Sequence, residues 1–319
     1  MWCARAFIVF LALCPGLALA QAGKWPEKQI NIIVPLPAGS AADVVARMIG
    51  ARLGERLGQT VVVLNRDGAS GALGTTQVAQ AKPDGYTLGV ATTTTLVTAP
   101  ILNPAIGYNP QGDFAPVAMI GFSPYVLVVH PAVKAKSVAE FIALAKSKPG
   151  DLTYSSVGEA SLARLGAELL SAMAGVKLTQ VPYKSSTQAV VDLLAGRIDA
   201  QFGILTTTHQ YIREGKLTAL GVTTAKRVAE FPELPTIDES GLPGFEASLW
   251  LAIVAPAKTP PDVVARLNQE INAALAGVET AKILLNQAIV VDPLSPEALR
   301  GRIDGDLKKW KDLATKAGL

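Results

Sequence analysis

Short apolar runs alternate with amphipathic stretches along this chain, the pattern of an α/β protein. Residues 30–34 (Ile-Asn-Ile-Ile-Val) read as a strand, followed by the loop Pro35-Leu36-Pro37-Ala38-Gly39-Ser40 and a helical run from Ala41. A second strand over 61–64 leads into Asn65-Arg66-Asp67-Gly68-Ala69-Ser70-Gly71, and a helix from there to about Ala81 ends at Pro83-Asp84-Gly85. The strand over 86–91 completes a βαβαβ unit, whose crossovers are right-handed by rule. Four threonines, Thr92 to Thr95, fall just past it, before a Pro-, Asn- and Gly-rich loop to about Asp113.

A strand over 125–130 leads out of this unit. Ser137 followed three positions later by Glu140 is a capping box, opening a helix to Lys148. Next come a strand over 153–156, the loop Val157-Gly158-Glu159-Ala160-Ser161 and a helix over 162–173. A strand at 179–181, a helix at 187–194, a strand at 199–204, a helix beginning at His209 and a strand at 217–222 complete a second α/β unit. A strand over 249–254 leads back. Val263, Leu267, Ile271 and Leu275 form a stripe on a helix opened by Pro260-Pro261, and a last helix runs from near Ser295 towards Lys316. A helical tail with no strand of its own is expected to pack on the first unit. The pattern therefore predicts two doubly wound α/β domains, 21–124 with 249–319 and 125–248. Two connecting strands between them would act as a hinge, so that a ligand between the domains draws them together.

Loops at the carboxyl ends of parallel strands are where ligands bind in open α/β sheets. Ser40 with Asp43 resembles a capping box, and Ser70 is placed similarly before Gly71-Ala72-Leu73. Each helix start exposes backbone N–H groups and a positive dipole end, and the small neighbours Ala38, Gly39, Ala69 and Gly71 admit a ligand to the main chain. Two readings stand side by side: ordinary turns and caps, or a site for an anion such as a carboxylate. The threonines, Thr93 and Thr94 among them, likewise read either as β-propensity with a turn or as hydroxyls for a ligand. Asp43 and Arg47 have the spacing of an ion pair on one helix. Glu159 fits either a ligand contact or a first-turn acid at a helix start.

Residues 1–20 carry Arg5, an apolar stretch and Ala18-Leu19-Ala20, a secretory signal peptide with cleavage before Gln21 and export to a periplasm. Both cysteines, Cys3 and Cys14, lie within it, so the mature chain is expected to hold no disulfide and no thiol chemistry. A net charge of +3 without a basic cluster argues against nucleic acid. The two histidines, His130 and His209, lack the converging partners that a metal site or a triad requires. No nucleophile elbow, Walker sequence or dinucleotide fingerprint is present. Neither a cofactor, a metal nor catalysis is expected.

The blocks 33–47 (IVPLPAGSAADVVAR), 57–71 (LGQTVVVLNRDGASG), 82–88 (KPDGYTL), 181–184 (VPYK) and 215–223 (GKLTALGVT) resemble the Bug-type, TctC-like solute receptors of tripartite tricarboxylate transporters. The resemblance spans essentially the whole mature chain. It implies a two-lobed periplasmic-binding-protein fold of type II character, without enzymatic activity, holding a small carboxylate largely through main-chain groups of the first two loops. By position these are Ala38, Gly39, Ser40, Ala69 and Ser70, with second-lobe loops near Gly158 and after Phe202 setting specificity. The expected ligand-binding set is completed by Asp43, Thr93 and Thr94 from the first unit and Ser156, Gly158, Ser161 and Ile204 from the second. The implied partners are membrane subunits of TctA/TctB type, with a monomeric receptor; a sensor presenting its closed form to a membrane kinase needs the same clamp. Gly203-Ile204-Leu205 stands where many members carry an acid after the Phe, and Lys184-Ser185 replaces a usual Lys-Gly. Without that acid a buried ammonium lacks a partner, which argues against an amino-acid ligand and leaves a carboxylic acid with an apolar or aromatic body.

Overall fold

In the computed structural model, which describes residues 25–157, 161–229 and 231–317, the strands β1 (Ile30–Val34), β2 (Val61–Asn65) and β3 (Thr87–Thr92) run parallel. Their crossovers are α1 (Ala41–Leu57) and α2 (Ala72–Ala79). Ile30, Ile32 and Val34 are fully buried and Ile33 nearly so, because helices cover both faces of the sheet, which is why β1 reads as an unbroken apolar run. Val45, Ile49 and Leu53 of α1 pack into the same core, each contributing about 1.5–3 kcal/mol of burial.

A single turn of π-helix (Thr94–Thr98) and the short α3 (Ala99–Leu102) follow β3. Then come β4 (Phe114–Ser123) and, after Pro124 alone, β5 (Tyr125–Val129). The second lobe continues as α4 (Val138–Ser147), β6 (Thr153–Ser156), α5 (Leu162–Ala174), β7 (Thr179–Pro182), α6 (Ser186–Leu194), β8 (Ala200–Ile204), α7 (Leu205–Arg213) and β9 (Thr218–Val222). The chain returns through β10 (Leu249–Pro256) and ends with α8 (Pro261–Leu275), α9 (Val278–Asn286), β11 (Val290–Val291) and α10 (Pro296–Ala317). The first sheet has the order β11-β4-β10-β3-β1-β2, and the second β7-β6-β8-β5-β9.

Four sequence expectations change. The strands read as connectors are interior members of the two sheets: β10 lies antiparallel between β3 and β4, and β5 antiparallel between β8 and β9. The tail does bring a strand, β11, which pairs with β4 at the sheet edge, and it holds a further helix, α9. β4 itself falls in residues 114–124, a stretch to which the sequence pattern assigns no element. Finally, α7 starts at Leu205, so His209 lies within the helix and does not begin it.

The two crossings between the sheets are tightly bonded. Thr223, fully buried, donates its Oγ1 proton towards Ala247 O at 2.5 Å and Tyr125 O at 3.2 Å, joining the two crossings. Thr93 Oγ1 accepts from Trp250 N at 3.0 Å and donates to Ser248 O at 3.2 Å. On the outer side Arg302 of α10 bonds Glu246 Oε1 at 2.6 Å and Ser248 Oγ at 3.1 Å. Asp306 beside it accepts from Trp250 Nε1 at 2.9 Å. Burial alone would push the Asp306 carboxyl up, but the charges of Lys309 and Arg302, with hydrogen bonds from Lys309 and Trp250, hold it below the usual range.

Candidate functional site

All the parallel strands deliver their carboxyl ends to the gap between the lobes, and a cavity of about 400 Å³ lies there. The first lobe contributes Leu36, Ser70, Thr92, Thr94, Thr95 and Leu249 to its lining. From the second lobe come Tyr125, then Ser155 and Val157, then the start of α5 at Ser161, Leu162 and Ala163, and Ser186 at the start of α6. The end of β8, from Gln201 to Ile204, completes the wall. None of these lining residues carries a formal charge.

The first loop is held by Asp43. Its Oδ2 accepts from Gly39 N at 2.9 Å and Arg47 Nε at 3.1 Å, while Oδ1 accepts from Asn65 Nδ2 at 2.9 Å and pairs with an Arg47 guanidinium nitrogen at 3.0 Å. Burial raises the Asp43 carboxyl, but the bond from Gly39 N–H, followed by those from Arg47 and Asn65, outweighs it and the pKa falls. Asp43 is 3% exposed and engaged on both oxygens, so it fixes the loop and offers nothing to a ligand in this arrangement. Ser40 Oγ caps α1 by accepting from Asp43 N at 3.3 Å. The Asp43 carboxylate returns its bond one residue before the cap, to Gly39.

The second loop has an unusual backbone. Gly68, Ala69, Ser70 and Gly71 have φ of 138°, 49°, 56° and 88°, a left-handed run in which only the glycines are at ease. Ser70 consequently does not cap α2 as its position suggested; Gly71 is the N-cap residue and no side chain bonds there. A Cβ on Gly71 would lie 2.7 Å from Thr95 Cγ2 and 3.1 Å from Pro35 O. Gly71 is thus packed closely against the main chain of the first loop and the Thr95 side chain of the turn after β3.

The four threonines divide their work. Thr92 and Thr95 bond each other reciprocally, Thr95 N donating to Thr92 Oγ1 at 3.1 Å and Thr92 N to Thr95 Oγ1 at 3.0 Å. Thr93 bonds the returning crossing at Ser248 and Trp250. Thr94, partly exposed, lines the cavity. Of the residues expected to bind a ligand, Ser70, Thr94, Ser161 and Ile204 meet around this one cavity. Ala38, Gly39, Ser40 and Ala69 sit on its first-lobe rim outside the lining, with Ala38, Gly39 and Ala69 exposed. Ser156 is 1% exposed and its Oγ accepts from Gln180 Nε2 at 2.7 Å, which turns it away from a ligand role. Gly158 lies outside the described residues, as do Glu159 and residues 1–20, where a signal peptide is expected.

Sequence reasoning missed Tyr125, Ser155 and Gln201. All three are on strands that read as structural, and only the sheet register aims them at the cleft: Tyr125 pairs with Ile204, and Ser155 with Gln201. Burial pushes the Tyr125 phenol up to about 12, so it stays protonated. His130 caps the far end of β5, its Nδ1 accepting from Ala132 N at 3.2 Å, and His209 lies in a separate groove behind the hinge. Among the described residues no group of His, Cys, Asp or Glu is placed to hold a metal ion, and no helix is long and apolar enough to cross a membrane.

Two lobes, two crossings and a cavity fed by strand ends define a clamp-type solute-binding protein. The model of the tripartite tricarboxylate transporter family receptor, TctC, matches residues 45–319, and the chain belongs to that family. This is a family of solute receptors, not of enzymes. Protein BugT of Bordetella pertussis is 36% identical over 311 residues, covering 97% of this chain and 95% of BugT. Among solved structures, R. palustris Rpa4515 with adipate is 34% identical with a TM-score of 0.75, over 92% of this chain and 98% of that one. A ligand-free TctC solute-binding protein from Polaromonas is 28% identical, yet its TM-score is 0.84, over 92% of this chain and 99% of that one.

Proposed function

We propose that this chain is a periplasmic receptor for a small carboxylate with an apolar body, which delivers the ligand to TctA/TctB-type membrane subunits. The observation that carries the reading is the interlobe cavity, uncharged along its described lining yet ringed by helix starts. The first turns of α5 and α6 and the turn after β3 all face it, and first-turn N–H groups have no acceptor within their own helix. Such groups hold an anion without a counter-charge. No acid faces the cavity from Gly203, so an ammonium would be left without a partner, which disfavours amino acids. The adipate bound by Rpa4515 supports the same reading.

Closure would bring the exposed rim at Ala38, Gly39 and Ala69 over the ligand carboxylate, adding their main-chain groups to the second-lobe wall. The test is a thermal-shift screen of purified mature protein against mono-, di- and tricarboxylates, amino acids, amines and sugars, with native mass spectrometry on the hits. A ligand at a hundred times its Kd adds about 2.7 kcal/mol to stability. Carboxylates are expected to give the shift. A shift only with amines or sugars would overturn the reading. Delivery is tested separately, by uptake of the identified acid in cells with and without the gene for this chain.

A further inference from the structure

A second cavity, of about 340 Å³, lies on the other side of the crossing that joins β4 to β5. Tyr125 and Ile204 face the interlobe cleft, whereas their chain neighbours Pro124 and Leu205 face this groove, as alternate positions of an extended chain do. Both walls are fixed to that crossing. Leu205 N donates to Pro124 O at 3.0 Å, which sets the start of α7 and with it the second-lobe wall. Val290 of β11 pairs with Phe122 of β4, which sets the first-lobe wall beyond the end of α9. The groove therefore belongs to both sheets, and it shares no lining residue with the cleft.

Its chemistry differs from that of the cleft. Phe231 and Leu205 are buried apolar lining, while Leu285 on the first-lobe wall stands 56% exposed. Arg213 of α7 lies over the Phe231 ring, its guanidinium carbon 5.6 Å from the ring centre, and pairs with no carboxylate among the described residues. The adjacent acid, Glu214, is already engaged by Lys216 at 2.7 Å and Gln210 at 2.9 Å. His209 also lines the groove, one helical turn before Arg213, and no described lining residue is acidic. A guanidinium held over an aromatic face still presents paired N–H donors that match a carboxylate or sulfonate. The backbone adds a second sign. Three non-glycine residues of the described chain have φ in the left-handed region: Ala69 and Ser70 are in the second loop of the cleft, and the third, Ala288 at φ 53°, lines this groove. Such strain concentrates at ligand clamps. Ala288 ends the turn after α9, its N–H donating to Leu285 O at 2.9 Å, and so helps to set where Leu285 stands.

We propose that this groove is a second binding site, for a singly charged anion with an apolar or aromatic body, paired with Arg213 and seated against Phe231 and Leu285. It is separate from the cleft's carboxylate and depends on none of the cleft residues. A neutral analogue keeps the apolar contact but gains nothing from Arg213, so preference for the anion is the signature of the site.

The test is isothermal titration of the mature protein with naphthalene-1-sulfonate and with the neutral naphthalene-1-sulfonamide, repeated on Arg213→Gln and Leu285→Asp. Both residues are exposed, so neither change threatens the fold. The wild-type protein is expected to bind the sulfonate about three- to tenfold more tightly than the sulfonamide, a preference that shrinks as salt is raised. Arg213→Gln should bring the two probes to within about twofold of each other. Leu285→Asp, which removes apolar contact and adds a like charge, should weaken the sulfonate by about tenfold. Sulfonate binding unchanged in both variants would place it elsewhere, in the cleft or on the surface, and overturn the proposal. Equal binding of the two probes by the wild-type protein, or no binding of either, would overturn it as well. None of these results bears on the carboxylate reading of the cleft, which its own screen decides.

Discussion

Replacing Gly71 by alanine tests whether the mouth of the cleft is packed as tightly as the backbone indicates. The residue has φ +88°, where an alanine costs about 1 kcal/mol more than glycine. Its new Cβ would fall 2.7 Å from Thr95 Cγ2 and 3.1 Å from Pro35 O. Neither neighbour yields easily. Pro35 presents main chain, and Thr95 is 1% exposed and pinned to Thr92 by reciprocal bonds of 3.0 and 3.1 Å. Overpacking of this kind adds about 1–3 kcal/mol, for a total of about 2–4 kcal/mol. At roughly 2–4 °C per kcal/mol for a domain of this size, the melting temperature should fall by roughly 5–15 °C. Gly39 is the matched control. Its φ is +81°, but a Cβ there meets nothing within 4 Å, so Gly39→Ala should cost only the backbone term of about 1 kcal/mol. Calorimetric unfolding of the two variants beside wild type measures both. Equal losses at the two positions would refute the packing argument and leave only glycine's conformational freedom.

Three further outcomes follow from the hinge and the first loop. Thr93→Val removes the hydroxyl that bridges Trp250 N and Ser248 O, leaving a buried N–H and C=O unmet; chemical denaturation should show a loss of about 1–3 kcal/mol. Arg302→Met leaves Glu246 and the buried Asp306 short of a partner, so amide exchange across 246–250 should accelerate, whereas unchanged protection would deny the clamp on the second crossing. Asp43 and Asp306 both have pKa values held below 3.8, so the stability they contribute is present above that pH and is lost as pH falls through their lowered values. Thermal unfolding along an acid titration should therefore show a fall that is smaller in Asp306→Asn, since that variant has already lost its share.

The sequence revealed elements whose signals are local. β1 is a continuous apolar run; Ser40, Ser137 and Ser161 each cap the helix they precede, accepting from the N–H three residues on at 3.3, 3.2 and 3.3 Å. What it hid was tertiary. Phe-Ala-Pro-Val-Ala-Met-Ile-Gly-Phe-Ser of β4 has no alternation because nearly all of it is buried on both faces, and its Pro and Gly weaken the strand signal, so the pattern assigns no element there. Leu205 to Thr208 read as non-helical, yet Thr207 and Thr208 return their hydroxyls to Ile204 O at 2.8 and 3.2 Å and the helix begins there. The rim loops were visible as small-residue turns at strand ends. The wall was not, since whether Tyr125, Ser155 or Gln201 faces the ligand is decided by a register set across the sheet. The left-handed run through Ala69 and Ser70 was equally silent, because neither residue type signals it.

The central claim, that main-chain groups at the cleft hold the ligand's carboxylate, is tested most directly by the crystal structure of the protein with its tightest-binding acid. The account predicts closed lobes, carboxylate oxygens within hydrogen-bond distance of backbone N–H groups of the rim loops or helix starts, or of waters bridging to them, and no lysine or arginine side chain on the anion. A carboxylate paired with a cationic side chain, or seated outside the cleft, would contradict it.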